Sequence, residues 1–161
     1  MKPGLRKKKR CALSNVPDGK FMAKVVLDAN VIISASFGGK PLEAVAKALK
    51  EHDVFISETI LEELEGVLRR LSKKLSPEQI QYLQERIGQL LKVAHRIPVS
   101  TKLSLSRDAK DDHYLSLCKE ARADFLISGD RDLLNLDSEV LKRNGIPCLI
   151  ISPASFLEIA P

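Results

Sequence analysis

The stretch KVVLDANVIIS, Lys24 to Ser34, decides how the chain is read, because it sets an aspartate and an asparagine inside a run that is otherwise hydrocarbon. Lys24 to Leu27 has the pattern of a short buried strand. An isolated carboxylate taken into an apolar interior costs on the order of several kcal/mol, so Asp28 is expected to be paired, metal-bound, or at the end of an element where the core opens. The residues that follow, ANVIISASF, are too few for periodicity to decide between a continued strand and the start of a helix. Gly38-Gly39 then breaks the run.

Outward from this segment, apolar strand patterns alternate with amphipathic helix patterns. PLEAVAKALKEH from Pro41 places Leu42, Val45, Ala46 and Leu49 at spacings of three and four, with proline at the helix start. DVFIS is a second short strand. SETILEELEGVLRRLSKKL is a helix capped by Ser57, and SPEQIQYLQERIGQLLKVA is another, with Ser76 as N-cap and Pro77 in the first turn. DAKDDHYLSLCKEAR predicts a helix from near Ala109, ADFLISGD a strand, RDLLNL a turn or short helix, SEVLKRNG a helix closed by Gly145, and IPCLIIS a final strand. No hairpin signal separates the strands. The alternation predicts an α/β fold, a three-layer α/β/α sandwich around a mainly parallel sheet of four to five strands.

At 161 residues, with 44% apolar and 29% charged side chains, the composition is that of one soluble globular domain. No apolar run approaches the roughly 20 residues that cross a bilayer, and the expected location is cytoplasmic. Cys11, Cys118 and Cys148 have no CxxC or zinc-ligand spacing, which favours free thiols over disulfides or a zinc site. The net charge of +5 is unevenly held: residues 1–21 carry seven Lys and Arg against Asp18, a local +6, so residues 22–161 sum to −1. Residues 1–21 therefore read as a basic, disordered arm or leader, and 22–161 as the folded domain. The chain has no GxxxxGK[ST], GxGxxG, GxSxG or HExxH, which removes P-loop, dinucleotide, serine-hydrolase and zincin chemistries.

Ligands of an open parallel sheet bind outside the carboxyl ends of the strands, where the strand order reverses. Asp28 ends the first strand, and Asp130 ends the strand of LISGD. If those strands are neighbours, two carboxylates meet on one rim. Glu58, Glu62, Glu63 and Glu65 near one helix start, and Asp108, Asp111 and Asp112 near another, can face the same crevice. Each cluster alone has a plain explanation: a strand-end turn, a helix-dipole complement, a solvated helix face. Together they would repel one another and raise their pKa values unless a hard divalent cation bound among them, which makes Mg²⁺ or Mn²⁺ the compensator for Asp28. His113 reads as a surface or packing histidine.

VVLDANVIISA, ISETILEELEGVLRR, DAKDDHYLSLCKEARADFLISGDRDLL and the closing ISPASFLEI, taken in order, resemble the PIN domain family, in particular the bacterial and archaeal branch associated with the toxin of a toxin–antitoxin pair. The resemblance covers Lys24 to the C-terminus and excludes the arm. It implies a ribonuclease whose acidic quartet binds Mg²⁺ or Mn²⁺: Asp28, Glu63, Asp111 and Asp130, with Asp132 assisting as a metal ligand. Asn30 follows the first acid by two residues, and Ser128 would orient a carboxylate or water. Glu62 is the alternative to Glu63. Asp112 is the alternative to Asp111, which is preferred because it lies seven residues before Cys118, where the family usually has a small residue. Metal ions held by acids would supply both an activated water and charge relief on the phosphoryl group, with no side-chain nucleophile. Lys40, Arg69, Arg70, Lys73, Lys74, Arg107 and Arg131 are candidate contacts to RNA phosphates. An antitoxin protein and a homodimer are the implied partners.

Other classes fit less well. An aspartyl-nucleophile phosphatase or dehalogenase resembles DxDxT, but here Asn30 and Ile32 occupy the second and third defined positions. A receiver domain would need a late lysine that is absent after LISGD. A PIN fold kept only for RNA or protein binding remains the alternative function, and its mark would be a lost acid; all four are present.

Overall fold

The computed structural model describes residues 22–105 and 108–159. The basic arm, Cys11 and Arg107 lie outside the described residues. Five strands form one sheet: β1 (Lys24–Leu27), β2 (Asp53–Ile56), β3 (His95–Arg96), β4 (Phe125–Ile127) and β5 (Leu149–Ile151). Their order is β3-β2-β1-β4-β5, and every pairing is parallel. β1 is central because Val25, Val26 and Leu27 can be buried completely on both faces, as a strand covered by helices on two sides requires. It pairs in register with both neighbours, Val25 lying opposite Val54 on one side and Phe125 on the other.

Eight α-helices among the described residues flank the sheet: α1 (Ala29–Ala35), α2 (Gly39–Glu51), α3 (Glu58–Leu71), α4 (Pro77–Val93), α5 (Asp112–Ala121), α6 (Arg131–Leu134), α7 (Ser138–Arg143) and α8 (Pro153–Ile159). The expected caps form: the Ser57 hydroxyl accepts from Ile60 N at 3.3 Å, and Ser76 with Gln79 closes a reciprocal capping box in front of Pro77. The segment open to two readings, Ala29 onward, is helix α1, because Asp28, itself still extended, caps it with a side chain that accepts from Asn30 N. The turn into α2 runs through Gly38 and Gly39, both at positive φ, a region that glycine enters without a Cβ clash.

Two details depart from the sequence expectations. The edge strand β3 consists of two exposed residues, His95 and Arg96, and so left no apolar pattern to read. The helix expected from Ala109 begins as a 3₁₀ turn over Ala109–Asp111 and becomes α-helical only at Asp112. The strand order reverses between β1 and β4, so the crevice of this fold opens beyond Leu27 and Ile127. No helix among the described residues is long and apolar enough to cross a membrane.

Candidate active site

Asp28 sits just past β1, where its backbone N–H extends the sheet ladder by donating to Ile127 O at 3.0 Å. Its side chain is only 3% exposed yet fully engaged. Oδ1 accepts from Asn30 N at 2.9 Å, the cap of α1, and Oδ2 accepts from the Ser128 hydroxyl at 2.7 Å. Charge-assisted hydrogen bonds of this kind offset much of the desolvation that the sequence made costly. Ser128 is itself completely buried and passes the arrangement on: its Oγ accepts from Asp130 N at 3.0 Å. Asp130 in turn caps α6, with Oδ1 accepting from Asp132 N at 2.8 Å. The ends of β1 and β4 are thus one hydrogen-bonded unit, which adjacent strands and the short Ser128-Gly129 link make possible.

Asp111 is the opposite case. It ends the 3₁₀ turn, makes no side-chain cap to α5, and its Oδ2 is buried with no hydrogen-bond partner among the described residues. Burial, then hydrogen bonding to and the charge of Asp130, then the charges of Asp108 and Asp28 push its carboxyl up to about 7. Asp111, Asp130 and Asp132 each bring a carboxylate oxygen to within 4.8 Å of the others. A buried orphan oxygen in a set of hard carboxylate donors is the donor chemistry that a divalent cation fits.

Glu63 approaches from α3. Its Oε1 is hydrogen-bonded to His113 Nε2, and its Oε2 accepts from the Tyr114 hydroxyl at 3.3 Å. The Tyr114 oxygen accepts from Ala29 N at 2.9 Å, directly after Asp28. Burial and the nearby Asp28 charge push the Tyr114 hydroxyl well above its ordinary range, so it stays protonated. Beside Asp28 and Asp130 a cleft of about 440 Å³ is lined by Asn30, Val31, Ser34, Pro41, Gly129 and Pro153.

Of the residues singled out in the sequence, Asp28, Ser128, Asp130, Asp132 and Asp111 converge, Asn30 joins them through its backbone, and Glu63 reaches the same rim through Tyr114. Glu62 is exposed beside it. Asp112 does not join the cluster: its Oδ1 accepts from Leu105 N at 3.0 Å, and it lines a separate pocket with Ser57, Thr101 and Ser116. Arg131 directly follows Asp130 and is exposed, whereas exposed Lys40 pairs with Glu43 at 3.8 Å. Arg70 and Arg69 place guanidinium nitrogens 3.6 Å and 3.9 Å from where a Cβ on Gly66 would stand, one turn past Glu63, while exposed Lys73 and Lys74 follow the far end of α3. His113, read as a surface or packing histidine, hydrogen-bonds Glu63, and Tyr114 is a polar junction inside the core. The available signal was the tyrosine itself, since a buried phenol must find a partner.

A PIN domain family model matches residues 24–132 of the chain. The chain belongs to the PIN domain family. Proteins with PIN domains are typically nucleases and generally use a divalent metal. The matched segment contains all of the acids described above. Among solved structures, this PIN domain is similar to VapBC2 from Rickettsia felis bound to a DNA fragment from their promoter, with TM-score 0.52 and 16% identity over 80% of this chain and 98% of that one. It is likewise similar to PAE2754 from Pyrobaculum aerophilum, with TM-score 0.53 and 12% identity over 88% of this chain and 92% of that one. Both likenesses are of fold. No curated protein matches the sequence.

Proposed function

We propose that this PIN domain is a Mg²⁺- or Mn²⁺-dependent endoribonuclease. The observation that carries this reading is the meeting of Asp111, Asp130 and Asp132, one of them with a buried orphan oxygen, at the switch point of a parallel sheet. Asp28, Glu63, Asp111 and Asp130 would be the catalytic acids, with Asp132 as a further ligand. A divalent ion held there would supply Lewis-acid charge to activate water and to offset the charge that develops on the phosphoryl group. The chain's own contribution is preorganisation. Ser128 and the α1 cap fix the Asp28 carboxylate in one orientation, so it need not reorganise when substrate arrives. Asp130 is aimed by its two neighbours, Ser128 and the Asp132 amide. Arg131, next to Asp130 in the chain, together with Lys40, Arg69 and Arg70 would bind RNA phosphates and keep the scissile one over the acids. Lys73, Lys74 and Arg107 are further candidate phosphate contacts.

The likeness to VapBC2 supports a role as the toxin of a toxin–antitoxin pair, silenced by an antitoxin protein; we further propose that the chain acts in the cytoplasm and as a homodimer. The test is cleavage of a mixed pool of structured and single-stranded RNAs by the purified chain in Mn²⁺, Mg²⁺ or EDTA, beside an Asp28→Asn/Asp130→Asn double variant. Metal-requiring cleavage that vanishes in the double variant is expected. Silence in every condition, with the fold intact and any co-purified partner removed, would favour a PIN fold retained for binding RNA or protein.

A further inference from the structure

Glu63 is gripped from one side by two consecutive residues of α5. His113 reaches one carboxylate oxygen and Tyr114 the other, with the two rings 4.0 Å apart between centroids and tilted by 37°. A carboxylate oxygen only accepts, so the His113 Nε2 carries the proton it donates. The tyrosine has a single proton to place. Because its oxygen already accepts from the Ala29 amide, that proton is directed to Glu63. The amide belongs to the residue next to Asp28, in the turn that caps α1. Two acids on different elements, Glu63 on α3 and Asp28 past β1, are therefore joined by one phenol that is 1% exposed.

Uncompensated, a carboxylate on the rim would swing away from its acidic neighbours into water. Two donors, one of them a hydroxyl fixed by the Ala29 amide, remove that freedom. We infer that Tyr114 and His113 are positioning residues, a strut that holds the Glu63 carboxylate toward Asp28 so that a divalent cation meets a site already assembled. The inference rests on the metal reading proposed above and goes beyond it, because neither residue would touch the ion or the RNA. Hydrogen-bonding partners behind metal-binding groups typically hold about 10–100-fold of metal affinity.

The test is Mn²⁺ binding to the full chain, followed by calorimetry, for the wild type, Tyr114→Phe, His113→Leu and His113→Gln, at a temperature where circular dichroism shows all four folded. Leu141→Ala, a buried truncation on α7, serves as a control for general loss of stability. Tyr114→Phe and His113→Leu are each expected to weaken Mn²⁺ binding by about tenfold. His113→Gln, which retains an N–H donor, should recover most of the loss, and Leu141→Ala should bind as the wild type does. Unchanged binding in both Tyr114→Phe and His113→Leu overturns the strut, as does an equal loss in Leu141→Ala. A wild type that binds no Mn²⁺ removes the metal reading itself, and the strut with it, an outcome distinct from either of the others.

Discussion

The two sides of the crevice differ in how their acids are held. At the joined ends of β1 and β4, Asp28 has both oxygens satisfied and Asp130 is tied by its amide and its cap. On the side of the 3₁₀ turn, Asp111 leaves an oxygen buried and unmatched, and its carboxyl is pushed up to about 7. The satisfied acids contribute to folding, whereas the unsatisfied one opposes it in the metal-free protein. An acid that a fold retains at a cost to its own stability is what a ligand site would explain, and the contrast is the ground for proposing Asp111 as a metal ligand.

The largest way to break this contrast is to neutralise a converging acid. Asp130→Asn or Asp111→Asn should lower metal-dependent RNA cleavage by on the order of 10²–10³-fold, measured as initial rates on a fluorogenic oligonucleotide. Rates within a few-fold of wild type would show that the acids are bystanders. Stability should then separate the two sides. Asp28→Ala removes an N-cap and leaves the buried Ser128 hydroxyl without its acceptor, so urea unfolding should show a loss of about 1–3 kcal/mol. Asp111→Asn should instead leave the metal-free protein as stable as the wild type or more so, even though its cleavage rate falls. If both variants destabilised alike, the difference between the two sides would be only apparent.

A smaller effect follows from pH. The Asp111 carboxyl titrates near 7 in the folded chain against an ordinary 3.8, so between those values the folded state holds the proton that the unfolded state has lost. Its contribution to stability is present below the lower value and is lost as pH rises through the upper one. The metal-free melting temperature should therefore carry a component that falls between about pH 4 and pH 7, and this component should disappear in Asp111→Asn. Saturating Mn²⁺ should raise the melting temperature more at pH 8 than at pH 5, because at the lower pH the ion must displace a proton. The smallest contrast lies within EELE on α3: Glu63→Gln should weaken Mn²⁺ binding, and Glu62→Gln, at an exposed position, should change it less than about twofold.

Much of the sheet was legible because its strands are brief apolar runs and its helices carry their own caps. Asp28 and Asp130 could be brought together on paper, since each ends a strand and the switch point of a parallel sheet gathers such ends. The alternation between Asp111 and Asp112 could not be resolved by pattern, because one residue of rotation at a 3₁₀-to-α junction decides which carboxylate turns toward Asp130. In the structure it is Asp111, while Asp112 holds the Leu105 amide. The same holds for Glu62 and Glu63, adjacent in sequence but on different faces of α3. Segment Ala29–Ala35 was ambiguous because its helical character comes from a cap supplied by the acid under study. The polar role of Tyr114 was hidden by its place in an apolar helical stripe, where only tertiary contacts reveal what its hydroxyl meets.

The most direct measurement is an anomalous difference map from crystals of the chain soaked in Mn²⁺. A peak within about 2.5 Å of carboxylate oxygens of Asp111 and Asp130 is expected, with Asp132 or Asp28 adjoining it and no such peak in crystals of Asp111→Asn. An empty crevice at saturating Mn²⁺, or a peak held by other residues while the acids keep their metal-free arrangement, would contradict a metal-dependent nuclease centre at the β1 and β4 ends.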